Sequence, residues 1–192
     1  MHQTSLAIGC TCLLMAATAH AADAGAGETR VQFGLAFPSG MSDLRNKIRS
    51  NNPQLEIRQL TPVGLGVAVY RDMGDGLAIG GTLGPAIIGT GAVSFTVVPL
   101  GLDVRYRFAR SGSTAPYVRA GVEKAIVGGD TLDAASAGGV LAVGVEIAQP
   151  RSAGWGVELA YHSTQVAVSG RGSRPALKAK PYQGVLSVFY AF

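Results

Sequence analysis

The chain has 192 residues, one domain's worth, with 47% apolar residues, 27 glycines and a formal net charge of +4. Only 15% of residues are charged, against about a quarter in ordinary soluble domains, and no run of apolar residues beyond position 21 is long enough to span a bilayer as a helix. A helical membrane bundle is excluded and a water-dressed globule fits poorly, whereas a closed β-barrel meets both constraints by satisfying every backbone group internally.

Residues 1–21, "MHQTSLAIGCTCLLMAATAHA", join a short apolar core to small residues and end in the A-x-A form of a secretory cleavage site at Ala19-His20-Ala21. Removing this segment takes away Cys10 and Cys12 along with His2 and His20. The expected mature chain, 22–192, is then free of cysteine and keeps His162 as its one histidine. Disulfides, thiolate chemistry and a histidine metal site all drop out, and no metal or cofactor is expected.

Alternating patterns predict eight strands, at 29–37, 62–71, 75–84, 93–109, 115–125, 138–148, 155–168 and 181–192. The second sets Val63, Leu65, Val67 and Val69 on one face against Gly64, Gly66 and Ala68 on the other. The seventh sets Trp155, Val157, Leu159 and Tyr161 against Gly156, Glu158, Ala160 and His162. Short connections near 72–76, 110–114 and 149–154 alternate with longer ones at 38–61, 126–137 and 169–180. That alternation is the pattern of membrane barrels with tight turns on one rim and long loops on the other. The connection at 85–92, "PAIIGTGA", is brief for a loop, and Pro85 and Pro99 lie where a ladder wants N–H donors. Within the first long loop, "SDLRNKI" reads as a helical turn capped by Ser42.

Opposite the aliphatic face, the later strands carry Asp103, Arg105, Arg107, Arg119, Glu123, Glu146, Glu158 and His162. Eight strands enclose just enough room for side chains to fill, so these groups are expected to form a paired interior network, since unpaired buried charges are expensive. A soluble lipocalin-like barrel would bury the aliphatic face instead. Tyr70, Tyr106, Phe108, Tyr117, Trp155, Tyr190 and Phe192 all fall beside a short turn or the C-terminus, hence at one rim, where amphipathic rings favour the membrane–water interface. By parity Tyr70 and Tyr117 point inward.

The stretches "VVPLGLDVRYRF", "APYVRAGVE", "GWGVELAYH" and the terminal "LSVFYAF", in this order, resemble the small eight-stranded outer-membrane β-barrel superfamily. That superfamily includes the outer-membrane protein A transmembrane domain and the opacity-type porin-like proteins. The resemblance implies an all-β, antiparallel, up-and-down transmembrane barrel in the bacterial outer membrane. It further implies that Val188, Tyr190 and Phe192 form the C-terminal signal read by the barrel assembly machinery.

Three function classes follow. A lipid A 3-O-deacylase of this superfamily would use an H-x-S motif, but here the sequence is His162-Ser163-Thr164. In a strand Ser163 points away from His162, leaving Thr164 as the same-face hydroxyl and Glu158 as the same-face carboxylate. A narrow pore would require the charged interior to rearrange. The favoured class is a non-enzymatic barrel, a monomer acting in envelope integrity or surface interaction. Its partners would be outer-membrane lipids and lipopolysaccharide, contacted by Arg45, Lys47 and Arg49 in the first long loop and by Arg171, Arg174, Lys178 and Lys180 in the last. Nucleic acid is not an expected partner, because no aromatic stacking platform accompanies these charges.

Overall fold

The computed structural model describes residues 29–54, 57–91, 94–108, 114–129, 131–148, 153–170 and 175–192. The expected signal segment with Cys10 and Cys12, and the loop cations Arg171 and Arg174, lie outside the described residues.

Eight antiparallel strand paths close into a ring. β1 (Thr29–Pro38) leads into helix α1 (Met41–Asn51). The second path is β2 (Ile57–Val63) continued by β3 (Leu65–Gly74), and the third is β4 (Leu77–Leu83) continued by β5 (Ala86–Gly91). Then come β6 (Phe95–Arg107), β7 (Thr114–Gly129), the short β8 (Leu132–Ala135), β9 (Ala137–Ala148) and β10 (Gly154–His162). The short β11 (Val166–Val168) and β12 (Leu177–Ala179) precede β13 (Gly184–Ala191). The order around the wall is β1, β3, β4, β6, β7, β9, β10, β13, and β13 pairs back onto β1 with Phe33 opposite Tyr190. The expected all-β, eight-stranded antiparallel barrel is therefore the fold found.

The tight β3–β4 turn runs through Gly74, Asp75 and Gly76, all at positive φ. Gly76 is required there, because a Cβ would run into the Arg107 carbonyl at 2.5 Å. Asp72 Oδ1 accepts the Gly74 N–H at 2.8 Å and fixes the turn's entry.

The strand limits differ from the expected ones in the upper, long-loop half. The second path starts at Ile57 and the third runs on to Gly91, so 85–92 is mostly strand, with Ile87 buried and Ile88 exposed as alternation demands. Both paths break at the same level, at Gly64 and at Gly84-Pro85. Pro99 on β6 faces that break: its carbonyl accepts the Gly84 N–H at 2.9 Å, and its missing donor points where β4 has already ended. The seventh path stops at His162, whose N–H goes to the Gln183 carbonyl at 3.3 Å. The following residues leave the wall for a three-stranded sheet, β12-β11-β8. The long loops thus fold into a cap made of that sheet and α1. Gly40, not Ser42, is the N-cap of α1, and no side chain caps it.

Candidate functional site

Parity along the strands fills the lumen in three tiers. At the turn end lies the ionic tier. Arg105, 1% exposed, donates to Glu146 at 2.7 Å, and Arg30 of β1 pairs with the other oxygen of the same carboxylate. Arg105 is also sandwiched between the rings of Tyr70 (4.9 Å) and Tyr117 (4.7 Å), a two-sided cation–π contact. Arg107 pairs with Asp72 at 2.5 Å. Above them Arg119 bridges two carboxylates. It donates to Glu158 through Nε (3.0 Å) and Nη2 (2.6 Å), and to Asp103 through Nη1 (3.1 Å). The Tyr70 hydroxyl donates to Asp103 at 2.6 Å and the Tyr117 hydroxyl to Glu158 at 2.9 Å. Room for these rings comes from glycines across the strand: a Cβ at Gly80 would overlap the Tyr70 ring, and one at Gly144 the Tyr117 ring.

All the residues expected inside are brought together here or in the next tier. The sequence reading missed Arg30 and Asp72 as members, although both share the inward parity of Gln32 and Tyr70. It also missed the two tyrosines as the groups that hold Arg105.

The middle tier is Glu123, His162 and Thr164. Glu123 Oε2 lies 2.7 Å from His162 Nδ1, and the Thr164 hydroxyl donates to Glu123 Oε1 at 2.6 Å. The partner of His162 is thus Glu123 of β7 and not Glu158, which the Arg119 guanidinium has taken. The order of groups matters chemically. A relay that activates a hydroxyl needs the imidazole between hydroxyl and carboxylate; here the carboxylate stands between them. Ser163 points away, as its parity dictates, and holds the Gly139 backbone at 2.7 Å.

Along the wall of β1, β3 and β4 several inward residues are small, among them Gly34, Gly66 and Ala68, with Gly84 just beyond β4. They leave a cavity of about 80 Å³ bordered on its far side by Arg119, Glu123 and His162. The Gln32 amide faces it, with Nε2 buried and without a hydrogen-bond partner among the described residues. This is space for a few waters rather than for a drug-sized ligand, whose pockets run to about 300 Å³ or more.

The third tier is apolar. Leu44 and Ile48 of α1, Val166 and Val168 of β11, Ala179 of β12 and Leu132 of β8 form one buried cluster with the upper lumen residues Ile87, Val97 and Val140. Tyr182 joins the tiers. Its ring lies 6.3 Å from His162 and its hydroxyl donates to the Val97 carbonyl at 2.9 Å. Burial pushes the Tyr182 phenol well above its ordinary range, with the nearby Glu123 carboxylate adding to the effect, so it remains a donor. Asn51 donates to the Val168 and Pro175 carbonyls at 3.0 Å and Asn52 to Ser169 at 2.9 Å, clamping α1 to the last loop. Asp43 accepts the Lys180 N–H at 2.9 Å. Arg45, Lys47, Arg49 and the exposed Lys178 therefore ride on packed elements, α1 and β12.

Outside, the pattern inverts. Leu102 is 69% exposed, and Val122, Leu141, Leu159 and Leu186 are exposed with it. At the turn end Tyr106 and Phe108 meet edge to face (5.2 Å), as do Trp155 and Tyr190 (5.0 Å), and Phe33 stacks on Phe192 (5.7 Å). Val188 and Phe192 are exposed on the same outer face of β13 as Tyr190. Tyr70 and Tyr117 point inward. Apolar outside, ionic inside and aromatic at one rim describe a surface made for lipid.

No protein-family model matches the chain, and no curated protein does. Among solved structures it is similar to the outer membrane protein OprG from Pseudomonas aeruginosa, with a TM-score of 0.54, 12% identity and coverage of 87% of this chain and 96% of that one. It is also similar to Outer Membrane Protein W of E. coli, with a TM-score of 0.52, 16% identity and coverage of 87% and 98%. At these identities the likeness is one of fold. The chain is a closed β-barrel with the fold of the small eight-stranded outer-membrane barrels.

Proposed function

We propose that this chain is a non-enzymatic bacterial outer-membrane protein whose barrel anchors a folded, basic cap at the cell surface, where it serves envelope integrity or surface contact. The observation that carries the reading is the apolar core shared by cap and lumen. A mouth closed by Leu44, Ile48 and Tyr182 favours presenting a surface over conducting solutes. Arg45, Lys47, Arg49, Lys178 and Lys180 then meet the phosphates of lipopolysaccharide as point charges and forks. Val188, Tyr190 and Phe192, on one outer row of β13, support engagement by the barrel assembly machinery. Nucleic acid has no place in this reading, and neither does a second copy of the chain.

Trp155, the one tryptophan, is 52% exposed on the outer face and tests the embedding. Vesicles of brominated lipid should quench its fluorescence strongly, while unchanged emission would return the barrel to the soluble class. Mass spectrometry of lipid A from cells with and without the protein, and with His162→Ala, tests the absence of chemistry. Identical spectra are expected. An acyl chain removed by the wild type and retained with the variant would make the protein a lipid A hydrolase, despite Glu123 standing between His162 and Thr164.

A further inference from the structure

Among the described side chains of the barrel strands, two charged ones face outward: Arg71 on β3, beside the turn rim, and Lys124 on β7. The orientation of Lys124 is fixed by its neighbours. Glu123 and Ala125 are buried inside, whereas Val122 (65% exposed) and Ile126 (59%) face out with it. Across the ladder Lys124 stands opposite Leu100 of β6, itself exposed, and Ala137 of β9. The ammonium is therefore set in an apolar surface, with hydrocarbon side chains below, above and beside it.

Its height follows from the strand. Lys124 lies eight positions along β7 from Pro116, beside the aromatic turn rim. At about 3.3 Å per residue and a tilt of about 40° this places it roughly 20 Å up the wall, close to the far edge of an apolar band about 25 Å tall. A lysine at that level reaches the headgroup region, where phosphates are the available counter-charge.

We propose that Lys124 and the apolar residues around it, Leu100, Val122 and Ile126, form a lipid site on the outer wall. In it the ammonium binds the headgroup phosphate of an anionic lipid and the aliphatic side chains hold its acyl chain. The site rests on the membrane-embedded reading and is separate from the basic cap: it is part of the wall, and it selects among the lipids that surround the barrel.

Electron paramagnetic resonance of the full chain in phosphatidylcholine vesicles, with trace spin-labelled phosphatidylglycerol or spin-labelled phosphatidylcholine, measures this directly. The wild type should immobilise the anionic label about fivefold more strongly than the zwitterionic one, the size of one cation–headgroup attraction. Lys124→Gln should remove most of that preference and Lys124→Arg should keep it. Inorganic phosphate at matched ionic strength should not displace the label; displacement would mean a site for the free anion and would overturn the lipid assignment. An unchanged preference with Lys124→Gln would overturn the site itself. Absence of any immobilised component, for either label, would instead bring down the embedded reading beneath it, so the two failures are told apart.

Discussion

The two halves of the lumen are filled by opposite chemistry, although the same strands line both. Toward the turns, Arg105, Arg119, Glu146 and Glu158 pack as an ion network held between tyrosine rings. Toward the loops, Ile87, Val97 and Val140 meet the cap in a core like that of a small soluble domain. The outer wall is largely apolar at both levels, so the difference lies in what each half must exclude. Ions in the lower half are taken from water once and fixed by several partners each, which makes that half a specific lock. Hydrocarbon in the upper half lets residues from distant loops join without strict geometry, which is what a cap assembled from four chain segments needs.

If the lower half is a lock, its failure should be abrupt. Arg119→Met leaves Glu158 and Asp103 buried without their shared cation and should cost about 3–5 kcal/mol in urea unfolding from lipid vesicles. Adding Glu158→Gln to that variant should recover part of the loss, because one of the stranded charges is removed with its partner. A loss below about 1 kcal/mol for Arg119→Met would mean that water reaches the network and that the two halves differ less than their side chains suggest.

The upper half should fail locally. Leu44→Ala removes a fully buried side chain from the cap core and should cost about 2–4 kcal/mol. The loss should appear as faster amide exchange in α1, β11 and β12, with β6, β7 and β9 still protected. Equal loss of protection in the barrel strands would show cap and barrel to be one cooperative unit.

This contrast also explains what could be read beforehand. A ladder with period two reports its two faces directly, so the barrel and most of the ionic and middle tiers, from Asp103 to His162, were legible. Partner choice was not. Glu123 and Glu158 both share the inward face with His162, and only the register of β7 against its neighbours decides that Arg119 takes Glu158 and leaves Glu123 to the imidazole. The cap was illegible for another reason. β8, β11 and β12 are three or four residues long, too short to show a period, and the pairing of β11 with β8 joins segments more than 30 positions apart. The breaks at Gly64 and Gly84-Pro85 were half visible. Pro85 and Pro99 signalled missing donors, but only the paired geometry shows that both absences fall at one place.

Glycines sharpen the comparison at a smaller scale. At Gly156 a Cβ would overlap the Phe189 ring in the lower half, so Gly156→Ala should cost about 1–3 kcal/mol through overpacking. At Gly128, high on β7, a Cβ would meet nothing within 4 Å, and Gly128→Ala should stay within about 0.5 kcal/mol. Equal effects would mean that the rings of the lower half can shift, and with them the tyrosine clamp on Arg105.

The finest test separates the two tyrosines of that clamp. Their rings hold the same guanidinium at nearly the same distance, so their phenylalanine variants keep the cation–π contact and lose only a hydroxyl. They differ in what the hydroxyl leaves behind. Glu158 Oε2 still receives Arg119 Nε after Tyr117→Phe. Among the described residues, Asp103 Oδ1 has the Tyr70 hydroxyl as its hydrogen-bond donor, and Arg119 and Thr82 serve the other oxygen. Tyr70→Phe therefore strands a buried carboxylate oxygen, and it should cost about 1 kcal/mol more than Tyr117→Phe in the same unfolding measurement. If the two variants are equal, a water from the neighbouring cavity takes the place of the lost hydroxyl, and the small-residue wall of β1, β3 and β4 then supplies solvent to a network that otherwise excludes it.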